Sequence, residues 1–139
     1  MRVLGIDYGK KRVGLALSDP FGFFAYPFET LENDSNLIKN LSKIVSEKEI
    51  KVIVLGYPFK FDGSRHELCN EIDKFSDVLK KEFSLNVVLI DESYSSKIAS
   101  DRILESVTKK SKRRDKKLID MNAAAVLIED YLRMGKNLS

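Results

Sequence analysis

Cysteine and histidine are nearly absent from this chain, with Cys69 and His66 the single examples among 139 residues. One thiol cannot close an intrachain disulfide, so nothing in the sequence points to an oxidising compartment. His66 and Cys69 lie three apart, but with no further cysteine or histidine a structural zinc site is excluded. Long hydrophobic runs are missing as well. The opening Met1-Arg2-Val3-Leu4-Gly5-Ile6-Asp7 meets a carboxylate before it can build the apolar stretch of a signal peptide, and no later segment is apolar for long enough to span a membrane. A cytoplasmic location with no membrane partner is the expectation. Internal repeats and low-complexity segments are also lacking.

What is present fits one domain over residues 1–139: 43% hydrophobic and 32% charged residues can bury a core without metals or disulfides as staples. The net charge of +3 is unevenly spread. Residues 106–117 hold Lys109, Lys110, Lys112, Arg113, Arg114, Lys116 and Lys117 against the single Asp115, a net +6 that leaves the remainder at −3. A mildly acidic body with one basic arm suggests local anion binding, against the plainer reading of a solvated loop.

Apolar runs at 2–7 and 13–18, separated by Tyr8-Gly9-Lys10-Lys11-Arg12, predict two strands in a hairpin. A third strand is expected over Phe23–Leu31, with Pro27 demanding an edge position or a bulge. Asn33, Asp34 and Ser35 offer caps for a helix to about Glu49, with Leu37, Ile38, Leu41, Ile44 and Val45 on one face. Val52–Leu55 and Val87–Ile90 have the unbroken apolar character of strands covered on both faces. Between them a helix is expected from Ser64 to Phe83, and a further one from Ser95 or Ser96 to Ser106. The last helix runs from Leu118 to Met134, with Asp120, Ala124, Leu127, Tyr131 and Met134 on one stripe. Strands covered on both sides need helices on each face, so the class is an α/β layered domain.

Three carboxylates occupy useful positions: Asp7 ends the first strand, Glu92 follows the last, and Asp120 lies on an inward stripe early in the final helix. A core-facing charge is costly without a partner. If the three meet, repulsion raises their proton affinity unless metal binds, and an all-oxygen set suits Mg²⁺ or Mn²⁺. Two such ions about 3.5 to 4 Å apart hold a phosphodiester, activate water and stabilise the leaving oxygen. The competing reading takes each acid as structural, Asp120 merely favouring a helix dipole. On the metal reading, neutralising Asp120 leaves the fold at least as stable, because it relieves repulsion.

The segment Asp7-Tyr8-Gly9-Lys10-Lys11-Arg12-Val13-Gly14-Leu15-Ala16-Leu17-Ser18-Asp19 resembles the opening signature of the YqgF/RuvX family, relatives of the RuvC Holliday-junction resolvase. Leu55-Gly56-Tyr57-Pro58 with Asp62-Gly63-Ser64, the pair Asp91-Glu92, and Asp120-Met121-Asn122-Ala123-Ala124 resemble later family motifs in order, so the likeness spans nearly the whole chain. It implies a ribonuclease H-like fold with a mixed five-stranded sheet and helices on both faces. It also implies a metal-dependent nuclease processing the 5′ end of pre-16S ribosomal RNA, with Asp7, Glu92 and Asp120 as catalytic and metal-binding acids. Asp91 and Asp62 are alternatives for completing that set. Two departures stand out: Ser93 replaces an arginine usual in the family, removing a bidentate phosphate contact, and Ser95-Ser96 replace paired threonines.

Lys11 and Arg12 beside Asp7, and Lys112, Arg113 and Arg114 in the arm, are candidate phosphate contacts; the plain alternative for each is a solvated cation. Tyr8 is either a base-stacking group or a half-buried aromatic at a strand end. Gly9 and Gly14 read as turn residues, through positive φ or close packing. Three other functions compete: a Holliday-junction-type DNA nuclease, a non-catalytic nucleic-acid-binding module, and an actin-like or sugar-kinase ATPase. The ATPase needs two lobes around its nucleotide, more than 139 residues supply.

Overall fold

A computed structural model describes residues 1–59, 66–92 and 116–138. The elements are β1 (Arg2–Tyr8), β2 (Arg12–Ser18), β3 (Ala25–Glu32), α1 (Leu37–Glu47), β4 (Ile50–Tyr57), α2 (His66–Phe83), β5 (Asn86–Asp91) and α3 (Lys116–Leu138). They form one mixed five-stranded sheet in the order β3-β2-β1-β4-β5. β1 pairs antiparallel with β2 and parallel with β4, β2 is antiparallel to β3, and β5 is parallel to β4.

The two faces of the sheet are sorted by the period of two along each strand. Leu4 and Ile6, Val13, Leu15 and Leu17, and Ile53 and Leu55 face α1 and α2, meeting Leu37, Leu41, Ile44, Ile72, Phe75 and Leu79. The alternate residues Val3, Ala16, Val52, Val54 and Ile90 face α3, where Ala124, Ala125, Leu127 and Ile128 are buried. Each fully buried Leu or Ile contributes about 1.5–3 kcal/mol of transfer free energy, so both faces are needed to seat the central strands. Among the described residues no helix is long and apolar enough to cross a membrane.

Several element boundaries differ from expectation. β3 begins at Ala25 rather than Phe23 because Asp19 organises a loop before it. Its carboxylate accepts backbone N–H bonds from Phe21, Phe23 and Phe24, which hold that acid below its usual proton affinity. Pro27 meets both parts of its expectation: β3 is an edge strand, and the register slips opposite it between Leu15 and Ala16. The first helix stops at Glu47, and Glu49 adopts φ 52°. α3 starts at Lys116 and so takes in the end of the basic run. The helix expected from Ser95 or Ser96 to Ser106 lies outside the described residues.

Candidate active site

The period-two rule that sorts the core also aims the acids. Asp7 follows Val3 and Gly5 on the β1 residues facing α3, and Glu92 continues the Val88, Ile90 series of β5. On β2 the same face carries Arg12, Gly14 and Ala16. Asp7 lies opposite Gly14, and the backbone N–H of Glu92 donates to the Tyr57 carbonyl at 3.1 Å, which extends the β4–β5 pairing past Asp91. Asp91 shares the opposite parity with Val87 and Leu89 and is exposed, so Glu92 is the member of the acidic pair turned toward Asp7.

Clearance for α3 comes from glycines on that face. A Cβ on Gly14 would stand 2.7 Å from Asp120 Cβ and closer still to its backbone carbonyl, so only glycine lets the first turns of α3 lie this near β2. A Cβ on Gly56 would stand 2.9 Å from both Glu92 Oε2 and Leu127 Cδ1. Glycine at these two points thus sets how deeply Asp120 and Glu92 sit. Gly9 and Gly14 have no positive φ, so close packing rather than backbone conformation is what requires glycine there.

The three acids interact. Burial is the largest cause raising the Asp7 carboxyl well above the usual carboxylate range, followed by the charges of Glu92 and Asp120 and a side-chain hydrogen bond with Glu92. Asp7 and Glu92 can share a proton only if one of them is protonated. Among the described residues no three or more His, Cys, Asp or Glu side chains are drawn together as a ready coordination sphere. The donor set nevertheless fits a hard divalent cation: oxygen ligands only, and a mutual repulsion that a dication would cancel.

Beside the acids, the β1–β2 turn and the start of α3 enclose a cleft of about 410 Å³ lined by Gly9, Lys10, Lys11, Arg12, Lys116 and Asp120. The turn is pinned from behind by Asn33, whose side-chain amide donates to the Gly9 carbonyl at 2.7 Å and whose backbone N–H donates to that of Lys11 at 2.9 Å. Arg12 Nε donates to Asp120 Oδ2 at 3.2 Å, so this cation reaches the acid on the helix. That ion pair changes one expectation. Neutralising Asp120 removes a favourable partner of Arg12 along with a repulsion, so the relief from deleting a charge falls on Asp7 instead. Lys10 pairs with Glu67 at 3.7 Å on the surface, where such contacts contribute little.

Tyr8 packs its ring on Phe75, centroids 4.8 Å apart, the structural alternative for this residue. The sequence marked Lys116 only as one of the arm's cations and Asn33 only as a helix-cap candidate, and it did not mark the clearance at Gly56; the parity of Gly56 with Val52 and Val54 was the available signal for the last. Asp62, Ser93, Ser95, Ser96, Lys112, Arg113 and Arg114 lie outside the described residues.

Residues 1–134 match the family model described as RuvX: Holliday junction resolvase. A Chlorobium chlorochromatii protein called "Putative pre-16S rRNA nuclease" is 39% identical over 136 residues, covering 97% of this chain and 96% of its own length. A Mycoplasmopsis synoviae protein of the same description is 38% identical over 139 residues, covering 98% and 100%. Among solved structures, T. thermophilus RuvC in complex with Holliday junction substrate has a TM-score of 0.63 at 16% identity, covering 97% of this chain and 96% of that one. The fowlpox virus resolvase with Holliday junction DNA has a TM-score of 0.58 at 16% identity, covering 96% and 98%. These two likenesses establish a ribonuclease H-like fold of the resolvase kind.

Proposed function

The chain belongs to the RuvX Holliday junction resolvase family, and from that membership we propose that it is a metal-dependent nuclease, a cytoplasmic hydrolase of phosphodiester bonds that processes the 5′ end of pre-16S ribosomal RNA. The observation that carries the reading is the coupling of Asp7, at the end of β1, to Glu92 after β5 and Asp120 on α3: burial first, and then those two charges, drive Asp7 toward its protonated form. Asp7, Glu92 and Asp120 are the catalytic acids and would hold Mg²⁺ or Mn²⁺. When bound, such ions supply Lewis-acid activation of water and stabilisation of the leaving oxygen.

The chain's own groups do the rest. Glu92, fixed by its N–H bond to Tyr57, is hydrogen-bonded to the raised Asp7 carboxyl, and the two would hold the cation in their ionised forms. Lys11 and Arg12 line the cleft that ends at Asp120 and bind backbone phosphates there, with Lys112, Arg113 and Arg114 adding contacts from the arm. Because phosphates carry no base identity, this grip favours no sequence, and the cut site is set by the shape of the precursor.

Cleavage of a precursor transcript in Mg²⁺ or Mn²⁺, by wild type and Asp7→Asn, tests the reading. Wild type is expected to trim the 5′ end, EDTA to abolish cutting, and Asp7→Asn to lose at least two orders of magnitude in rate. Full activity after exhaustive chelation, or in Asp7→Asn, overturns it. The family's description favours a second substrate, a four-way DNA junction, so a parallel arm uses that DNA. Preferential cutting of the junction would replace the RNA assignment and leave the acids in place.

A further inference from the structure

The Arg12–Asp120 pair sets two duties of the site against each other. Asp120 is one of three acids that would hold the cation, yet one of its oxygens already accepts from a guanidinium. Arg12 opens β2 directly after the lysine-bearing turn and lines the same cleft as those lysines, yet its Nε is occupied by a carboxylate. Neither partner is sealed: the Arg12 side chain is 28% exposed and that of Asp120 24% exposed. The pair is thus enclosed enough to form and open enough to be exchanged. Its surroundings favour exchange by an anion, because Lys10, Lys11 and Lys116 line the same cleft and Asp120 is the one acid among its described lining residues. The turn that carries Arg12 does not need to move, since Asn33 holds its backbone at Gly9 and Lys11. Rotation of the Arg12 side chain is sufficient.

We propose that Arg12 is a positioning residue that couples cation binding to nucleic-acid binding. With the cleft empty, Arg12 neutralises Asp120 and competes with a divalent ion for it. A backbone phosphate entering between Lys11 and Lys116 draws the guanidinium away, because a phosphate offers it two acceptor oxygens in place of the single contact to Asp120. Asp120 is then released to the cation, and the full set of acids is available only when a strand is in place. The coupling is reciprocal, so the cation tightens strand binding by the same factor. This inference rests on the proposed function for the identity of the cation-binding acids; the role of Arg12 is additional to it.

Calorimetric titration of Mn²⁺ into wild type, Arg12→Gln, Arg12→Lys and Asp7→Asn, each with and without a short phosphorothioate RNA that resists cleavage, tests the coupling without any turnover. Without RNA, Arg12→Gln is expected to bind Mn²⁺ about fivefold more tightly than wild type, the worth of a partly buried ion pair. The enhancement of Mn²⁺ binding by the RNA is expected to shrink by about the same factor. Arg12→Lys, which keeps the charge, should fall between the two. Melting curves verify that each variant is folded. Unchanged or weaker Mn²⁺ binding by RNA-free Arg12→Gln overturns the coupling, because an ion that merely bridges protein and phosphate would leave that affinity alone. Asp7→Asn separates the two levels: if it loses Mn²⁺ while Arg12→Gln is unaltered, only the role of Arg12 falls. If Asp7→Asn binds Mn²⁺ like wild type, the acid cluster is not the cation site and the proposed function falls with it.

Discussion

Asp7 is where repulsion is stored, because its carboxyl is held in its protonated range by burial and by the charges of Glu92 and Asp120. A group with a raised folded-state proton affinity binds more protons in the native than in the unfolded chain between the ordinary value of 3.8 and its own raised value. Stability therefore falls as pH rises through that window and stays reduced above it. Asp7→Asn removes the penalty. It should melt a few degrees above wild type in metal-free buffer at neutral pH, and the difference should close as pH approaches about 4. Melting curves of both proteins across pH measure this; a variant that melts lower at neutral pH would show that Asp7 is held by favourable partners. Asp120→Asn should give a smaller gain or none, because Arg12 is already its counter-ion.

At the scale of the element, α3 decides the site's depth. The helix lies on the face of the sheet carrying Gly5, Gly14 and Gly56, and each hypothetical Cβ there would collide with it or with Glu92. The collisions differ in kind. At Gly14 the obstacle is the backbone of Asp120, whereas at Gly56 it is the far ends of the Glu92 and Leu127 side chains, which can rotate aside. Gly14→Ala should thus cost about 1–3 kcal/mol of stability. Gly56→Ala should cost less stability but weaken Mn²⁺ binding, because the methyl group displaces the Glu92 carboxylate. Denaturant titrations paired with Mn²⁺ titrations separate these effects. Equal stability losses with unchanged Mn²⁺ binding in both variants would mean that α3 shifts as a body and carries Asp120 with it. The strands and the amphipathic α1 were legible from their apolar spacing, while the ends of β3 and α1 were not. Those ends depend on the Asp19 loop and on Glu49 entering positive φ, which have no periodic signature.

Across the whole molecule, charge is divided between an acidic body and a run of cations that leads into α3. Lys116 at the head of α3 lines the cleft with the β1–β2 turn, a surface that includes Asp120, and the other cations of the run precede it in sequence or, for Lys117, follow it directly. Contacts from such a surface to phosphates give affinity that falls steeply with salt, each lost contact lowering the log–log slope by about 0.7 to 0.9. Replacing Lys112, Arg113 and Arg114 with Gln should flatten the slope by roughly two units while leaving the melting temperature unchanged. Binding titrations across several salt concentrations decide it, and an unchanged slope would mean that those three cations stay in solvent.

What the sequence determined by itself was the layered class and the order of the described strands and helices, and it put forward three candidate acids, because apolar periodicity is local and a carboxylate next to an apolar run is visible in one dimension. The motif likeness named the family from the same local signals. Only the tertiary structure decided that Glu92 rather than Asp91 turns toward Asp7, that Arg12 reaches Asp120 across 108 positions of chain, and that Gly14 and Gly56 act as clearances for a helix. The physical reason is common to all three. Each depends on which face of a strand meets which element across the sheet, and electrostatic and steric contacts between residues far apart in sequence exist only once register and packing have fixed those distances.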